Sequence, residues 1–252
     1  MLKTMWAQPA LAAGCAMAVA LAARTRSIHV VRDTAVALVR GIVQIAAVGS
    51  ILVLLLRGPR WTGALMLAAM IAAAAGISSR RARGIPGAFQ VSLWAIGAGA
   101  GPVIALMTWA GVIDTAITML IPIGSMLIAN AMNANSLALN RFRAGVEAHA
   151  GQIETALALG AAPEQTVAPY AQDAYRSSLI PAIDSLRSLG IVWIPGLMAG
   201  MVLSGTPPLR AAIYQFVTIA MIFASSGLTC LIGTSLIRSH AFSPAEQLTL
   251  RA

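Results

Sequence analysis

The sequence predicts an all-α polytopic membrane protein, with about seven transmembrane helices in a single domain over residues 1–252. Apolar residues make up 58% of the chain and charged residues only 10%, whereas soluble domains carry about 25% charged residues. The mean hydropathy is +0.81. Alanine and glycine are frequent within the apolar runs, as expected where helices pack closely in a bilayer.

Seven apolar segments approach the length of about 20 residues that a helix needs to cross the hydrocarbon core. The predicted spans are 5–23, 35–56, 61–79, 88–109, 112–139, 188–205 and 211–237. Lys3 precedes the first apolar run, as in a signal peptide. Because this run is nearly a full span long and further spans follow, we expect an uncleaved first helix.

The basic residues predict the orientation, since cytoplasmic connections carry an excess of Lys and Arg. With the N-terminus outside and the C-terminus in the cytoplasm, thirteen of the seventeen basic residues face the cytoplasm. These are Arg24, Arg26, Arg32, Arg40, Arg80, Arg81, Arg83, Arg141, Arg143, Arg176, Arg187, Arg238 and Arg251. The other four are Lys3, Arg57, Arg60 and Arg210. Six spans with one end reversed would put some clusters on the wrong side.

The net charge of +9 does not indicate a nucleic-acid partner, because the arginines lie in short clusters at the ends of apolar segments. Such clusters set topology and contact anionic membrane lipid. Cys15 and Cys230 lie inside apolar segments, so no disulfide framework is expected. His29, His149 and His240 match no ligand spacing, and any metal site stays unknown.

The connection over residues 140–187 is predicted to be an amphipathic cytoplasmic segment between the fifth and sixth spans. It holds five of the eight acidic residues. A short helix is expected to end at a turn containing Gly160, and a second amphipathic helix to run from Glu164 to about Leu179. A helix–turn–helix of this kind is suited to act as a lever on the spans.

Glu154, Ala156, Gly160 and Ala161 have the spacing found in the cytoplasmic loop of many ABC importer permeases, where short coupling helices contact an ATPase subunit. An ordinary cytosolic hairpin is the alternative interpretation. The chain contains no P-loop, G-x-x-x-x-G-K-[ST], and its single lysine is Lys3. No catalytic constellation is present either. We therefore expect that this chain is not an enzyme and binds no cofactor. If ATP drives the protein, ATP-Mg is expected on a separate subunit.

Four stretches of sequence, taken in order, resemble one known family. They are Arg40–Gln44 with Gly49; Ile121–Met126 with Asn130–Met132; Leu159–Ala161 with Pro163; and Leu179–Ser185 followed by Gly190, Pro195, Gly196, Met198, Gly200, Gly205, Tyr214 and Gln215. On these motifs the chain resembles the FetB family of ABC transporter permeases, also called UPF0014. That family includes bacterial iron-export permeases and plant permeases linked to aluminium tolerance.

The resemblance implies a homodimeric permease of the inner (plasma) membrane that exports metal ions such as iron, driven by a separate P-loop ATPase subunit. The residues expected to couple to that ATPase are Glu154, Ala156, Gly160, Ala161, Pro163 and Asp184. The sequence departs from the family pattern at Trp193, Leu197, Ala199 and Pro207. These departures put the metal specificity in doubt and leave the permease assignment intact.

One polar stripe on the fifth span is a candidate for the translocation path. Asn130, Asn133, Ser136 and Asn140 lie within about a third of the helix circumference at 100° per residue, whereas Asn135 points to the opposite side. Polar side chains inside a span usually face protein or a water-filled path. The stripe either lines such a path or supplies hydrogen bonds between helices.

The predicted path also includes residues near an expected helix break at Pro195 and Gly196. Met198 and Met201 offer thioethers to a soft metal, although methionines in an apolar chain mostly fill the core. Gln215 of the family motif completes the set.

Arg40 and Gln44 lie one turn apart on the second span. They either have a structural or gating role, or Arg40 extends to the lipid headgroups. Two other classes of function remain open. An ion-coupled secondary transporter would need a protonatable residue in mid-membrane, and a non-transporting scaffold would only dock a partner.

Overall fold

In the computed structural model, residues 2–27, 29–55, 59, 61–82, 84–243 and 247–250 are described, without the side chains of 2–8 and 52–55. Arg57, Arg60, Arg83 and Arg251, which entered the orientation count, lie outside the described residues. The described residues form these helices: α1 Leu2–Arg24, α2 Val31–Leu55, α3 Trp61–Arg81, α4 Ala88–Trp109, α5 Ile117–Ala148, α6 Ala150–Ala158, α7 Pro163–Ser188, α8 Gly196–Leu203 and α9 Pro208–His240.

The predicted all-α polytopic architecture is confirmed. Within the described part of the chain, five helices are long and apolar enough to cross a membrane, namely α2, α3, α4, α5 and α9. The apolar part of α1 from Pro9 to Arg24 is a shorter candidate. The chain divides into two compact units, Met1–Pro59 and Arg60–Ala252. In the first unit, α1 packs against α2. Asp33 lies in the first turn of α2, where a carboxylate interacts favourably with the helix dipole.

In the second unit, α3 and α5 run in the same direction. Leu67 of α3 lies against Gly124 of α5, and further along Ser78 of α3 accepts a hydrogen bond from Asn135 of α5 at 2.9 Å. Asn135 also lies against Gly233 of α9, and α9 is parallel to α5. The three helices therefore end together at what we call the basic end, which carries Arg80, Arg81, Arg141, Arg143 and Arg238.

The fourth helix runs antiparallel to α9. Gly87, which precedes α4, lies against His240 at the end of α9, and Gly99 in mid-helix lies against Thr229. A Cβ atom at residue 99 would meet the Thr229 backbone, so a side chain larger than hydrogen would hold the two helices apart. Close approach through small residues is the usual way in which membrane helices pack.

A hydrophobic core at the basic end joins five elements. Phe142 of α5, Ile153 of α6, Val167 of α7 and Ile237 of α9 are all at most 2% exposed and belong to one cluster. The chain after α9 turns back on this cluster and adds Leu248 and Leu250. The short helix α6 is therefore fixed to the helix bundle rather than suspended from a loop.

The prediction of a continuous sixth span over 188–205 is wrong. The chain turns after α7, and α8 has only 8 residues, which rise about 12 Å against a hydrocarbon core of about 30 Å. Gly190 in this turn has a φ of +76°, a left-handed conformation that ends a helix. The side chains of this stretch are as apolar as those of a span, but its backbone does not form a helix of spanning length.

The place of that span is taken in part by α7, which runs antiparallel to α5 and α9. Near its start, Tyr170 lies against Gly145 of α5; later, Leu179 packs with Ala138 and Cys230. The last turns of α7 thus lie beside residues of the predicted fifth and seventh spans. In addition, α5 continues as a helix to Ala148, so the predicted boundary at residue 140 does not coincide with a helix end.

Gly99→Ala is expected to destabilise the protein by about 2 kcal/mol or more, because overpacking against backbone is not relieved by a side-chain rotation. The added Cβ would overlap Thr229 Oγ1 and lie 2.6 Å from the Thr229 backbone nitrogen. The measurement is the melting temperature of the purified protein in detergent. Gly101→Ala, on the same helix with nothing within 4 Å of its added Cβ, is the control and should not lower it. Equal melting temperatures would contradict the α4–α9 contact.

Candidate functional site

A cavity of about 230 Å³ lies between α5, α7 and α9. It is lined by Met126, Asn130, Asn133, Ala134, Leu137, Ser178, Pro181, Ala182, Ser185, Trp193, Ile219, Ile222 and Ser226. On each helix the lining residues recur at spacings of three or four, so each helix presents one face to the cavity. Trp193 comes from the turn between α7 and α8.

Two asparagines of α5 contribute amide groups to this cavity. Asn130 Nδ2 donates to the backbone oxygen of Met126 at 2.8 Å. Asn133 Oδ1 accepts a hydrogen bond from Arg81 Nη1 at 3.2 Å. Because Arg81 is the last residue of α3, the end of that helix brings a guanidinium group next to the cavity lining.

The α7 wall contributes mainly hydrogen-bond acceptors. Ser178 Oγ donates to the backbone oxygen of Tyr175 and Ser185 Oγ donates to that of Pro181, each at 2.8 Å. Because each hydroxyl donates its proton to a backbone oxygen within α7, both hydroxyl oxygens present only lone pairs to the cavity. Pro181 lacks an N–H group, so the carbonyl of Ser177 loses its partner in the helix ladder.

The lining is electrically neutral. It contains no carboxylate, thiolate or imidazole group, and among the described residues no three His, Cys, Asp or Glu side chains come together as a metal-binding group. The Met126 thioether is its one soft ligand atom. Such a wall suits a solute that keeps its own ligands or water shell better than an ion held by charged side chains.

Only part of the predicted α5 stripe reaches the cavity. Asn130 and Asn133 line it, whereas Ser136 is buried and lies 3.2 Å from Ser78 Oγ while donating to the backbone oxygen of Met132 at 2.8 Å. Asn140 is exposed and is not in the lining. Two members of the stripe thus line a cavity and one contacts α3, and the translocation role stays a prediction.

Asn135, on the other side of α5, is the buried polar centre of the bundle. It is fully buried, and its Nδ2 donates to Ser78 Oγ at 2.9 Å and to Ser92 Oγ at 3.1 Å. These bonds tie α5 to α3 and α4 simultaneously. In an apolar solvent a buried amide is stable only with such partners.

The other predicted path residues do not join the cavity lining. Pro195, Gly196, Met198 and Met201 lie at or in α8, and the turn contributes Trp193 to the lining instead. Gln215 is buried within α9.

Arg40 and Gln44 lie one turn apart on α2, in the first compact unit. The structure of the second unit therefore neither supports nor contradicts their predicted structural or gating role.

The predicted turn at Gly160, which we call the α6–α7 turn, has a defined hydrogen-bonding pattern. Ala161 N donates to the oxygen of Ala156 at 3.0 Å, and Gly160 N donates to that of Leu157 at 2.9 Å. Together with the φ of +88° at Gly160, this is a Schellman motif. Pro163 then starts α7, where its missing N–H costs no hydrogen bond.

The short helix α6 has one anchored face and one exposed end. Ile153 is 2% exposed within the core at the basic end, and Leu157 packs partly against the same core. Leu159, next to the turn, is 84% exposed.

Of the six predicted coupling residues, the structure brings five together. Glu154 and Ala156 lie on α6, Gly160 and Ala161 lie in the turn, and Pro163 is the first residue of α7. Asp184 lies on α7, 21 residues after Pro163, which corresponds to about 31 Å along the helix. It faces solvent 3.9 Å from Arg187. Its position does not support a role at the α6–α7 turn.

Sequence reasoning missed the α7 wall of the cavity, because residues 140–187 were assigned to the cytoplasm. The signal was present in the small and polar residues Ser178, Pro181, Ala182 and Ser185, which recur at helical spacing on one face. Arg81 was also missed as a cavity neighbour, since only the structure pairs the end of α3 with Asn133.

The profile of one family, described as Uncharacterised protein family (UPF0014), matches residues 6–242. The chain belongs to this family. The resemblance drawn from the sequence motifs is thereby confirmed, and the chain is a membrane protein of the UPF0014 permease family.

Three relatives show how far the similarity extends. The chain is 33% identical over 177 residues to the probable iron export permease protein FetB of Escherichia coli K12, covering 70% of this chain and 68% of the relative. It is 32% identical over 223 residues to the UPF0014 membrane protein YjkA of Bacillus subtilis, covering 86% and 87%. It is 31% identical over 179 residues to the protein ALUMINUM SENSITIVE 3 of Arabidopsis thaliana, covering 71% and 66%. No solved structure matches the chain.

Gln215→Leu is expected to raise the melting temperature of the protein in detergent. Gln215 is 1% exposed, and neither amide atom has a hydrogen-bond partner among the described residues. Burying an unpaired amide costs about 1–3 kcal/mol, and the substitution removes that cost. Gln90→Leu, at an exposed position of α4, is the control and should give no comparable gain. A fall in melting temperature would mean that the Gln215 amide has partners in the membrane-embedded protein.

Proposed function

We propose that this chain is the membrane-spanning permease subunit of an ABC-type transporter. The observation that carries the proposal is α7, a helix of 26 residues with the α6–α7 turn at its start and one wall of the cavity near its end. At 1.5 Å per residue this helix is about 39 Å long. A displacement applied to the turn outside the membrane is therefore transmitted directly to the cavity wall.

The energy source in this proposal is a separate P-loop ATPase subunit that binds ATP-Mg. Its expected contact is the α6–α7 turn, with the exposed Leu159 beside Gly160. The absence of a P-loop motif from the sequence supports the division of labour, since no lysine of this chain is placed to hold nucleotide phosphates. By the family resemblance, two copies of the permease form the membrane part of the transporter.

The proposed location is the inner (plasma) membrane, with the basic end in the cytoplasm. The parallel course of α3, α5 and α9 supports this orientation, because it gathers Arg81, Arg143 and Arg238 at one end of the second unit. The excess of basic residues on that side follows the positive-inside rule. The same orientation puts the α6–α7 turn in the cytoplasm, where an ATPase can reach it.

The proposed cargo is a metal such as iron, moved outwards. The Escherichia coli relative, a probable iron export permease protein, is the basis for this cargo. The neutral lining adds a restriction, because it offers amide and hydroxyl groups and one thioether in place of carboxylates. The metal is therefore expected to cross with its own ligands or hydration shell.

Leu159→Asp tests the coupling to an ATPase. The variant should keep its melting temperature, because the side chain is 84% exposed, yet it should lower the stimulation of the partner ATPase by about tenfold. The measurement is ATP hydrolysis by the co-purified P-loop ATPase in proteoliposomes. Ser239→Asp adds the same charge at an exposed position of α9 and should leave stimulation intact. An ATPase rate indifferent to the wild-type chain would refute the proposed function.

The double change Asn130→Leu with Asn133→Leu tests the cavity as the path. It should lower ATP-driven iron flux in proteoliposomes by about tenfold, equivalent to about 1.4 kcal/mol, because it removes both amides that α5 presents to the cavity. Asn140→Leu, on the same helix but outside the lining, is the matched control. Unchanged flux in the double variant would exclude this cavity. Wild-type protein with intact ATPase coupling and no iron flux would exclude the cargo alone.

A further inference from the structure

A second, smaller cavity of about 210 Å³ lies between α7 and α9 at the basic end. It is separate from the cavity described above, with which it shares no lining residue. Arg176 and Arg238 contribute two guanidinium groups, and Gln172 contributes an amide. Tyr175 also lines the cavity, but its hydroxyl lies beside Gly227, 11 residues before Arg238 on α9. Among the described residues, no acidic side chain lines this cavity.

The charge of these two arginines is not neutralised within the described part of the chain. No carboxylate of the described residues lies within 4.0 Å of either guanidinium, since the ion pairs found are Arg143 with Glu147 and Arg187 with Asp184. The Nε atom of Arg238 is buried without a hydrogen-bond partner among those residues. A buried donor of this kind on a charged group is costly unless an acceptor completes it.

The neighbouring hydroxyl groups do not supply donors to the cavity. Thr234 Oγ1 donates to the backbone oxygen of Cys230, and Ser235 Oγ donates to that of Leu231, each at 2.7 Å. Recognition of a ligand therefore depends on the two guanidiniums with Gln172. Planar guanidinium groups match the oxygen geometry of phosphate, to which they bind through paired hydrogen bonds.

The other side of the cavity is apolar and open to the surroundings of the helix bundle. Leu231 lines the cavity and is 52% exposed, and Leu228, one turn further from the basic end, is 41% exposed. Since α9 is one of the membrane-spanning candidates, these leucines lie on the membrane side of the arginines. The site is thus polar towards the basic end and apolar towards the hydrocarbon core, as a phospholipid is.

We propose that this cavity binds the phosphate group of an anionic phospholipid, with its acyl chain along Leu228 and Leu231. Basic pockets between membrane helices on the cytoplasmic side are known to hold such headgroups. The site requires only that the chain spans a membrane, and it is independent of what the protein transports. A lipid in this position would hold α7 against α9 midway between the α6–α7 turn and the cavity described above.

The test is a titration of the purified full chain in neutral detergent with phosphatidylglycerol, following the rise in melting temperature. Phosphatidylcholine and soluble glycerol phosphate are titrated in parallel. In the Arg176→Gln, Arg238→Gln double variant, we expect half-maximal stabilisation to need about thirtyfold more phosphatidylglycerol. Each substitution removes one basic group, and the binding contributions of two such groups correspond to this factor. Arg238→Lys, which keeps the charge and loses the Nε–H group, should show a smaller loss.

The matched control is the double variant Arg80→Gln, Arg141→Gln, which removes the same charge from exposed positions at the basic end. It should stay within about threefold of the wild type, because general attraction to the surface is weak at any one site. Melting curves without added lipid establish that each variant is folded. Stabilisation by glycerol phosphate at the same concentrations would assign the site to a soluble phosphate and overturn the lipid. Equal losses in the two double variants, or no response to phosphatidylglycerol, would overturn the site.

Discussion

The architecture of the second unit depends on one constraint, namely that α7 must lie against both α5 and α9 over most of its length. At its start Val167 is buried in the core at the basic end; further along Leu179 packs with Ala138 and Cys230; near its end Pro181 and Ser185 form a wall of the larger cavity. Because backbone groups in an apolar solvent must be paired internally, this contact is made between complete helices. A shift of α7 therefore changes all three places together.

Hydropathy predicted well those spans in which the apolar segment of the sequence and the helix have the same ends. Helices α3, α4 and α9 begin and end within three residues of the predicted boundaries, since each is apolar around most of its circumference. The sixth span failed for the opposite reason. Ile191 and Val192 are apolar but lie in a turn and are over 80% exposed, while the adjoining helix α7 carries Asp184 and Arg187 and has too low a hydropathy to be recognised as a span.

The candidate site was predictable to the extent that it lies on one helix. Helical spacing placed Asn130 and Asn133 on a common face of α5, and both line the cavity. The same spacing included Ser136, which instead lies beside Ser78, because the angular position of a residue does not tell which neighbour it meets at that depth. The α6–α7 turn was predictable because its signals are local: glycine at a left-handed position followed by proline. Contacts between distant helices, such as Arg81 with Asn133, have no comparable local signal.

Two regions of different charge are attached to the same helix. The lining of the larger cavity includes no charged side chain, although the Arg81 guanidinium is hydrogen-bonded to Asn133 of that lining. The smaller cavity holds two arginines and lies nearer the α6–α7 turn. A ligand in the smaller cavity would add contacts between α7 and α9. These contacts would lie between the α6–α7 turn and the wall of the larger cavity. Any ligand with higher affinity for one arrangement of these helices shifts the population towards it. If the smaller cavity binds lipid as proposed, the lipid composition of the surrounding membrane would therefore bias the arrangement of α7 against α9.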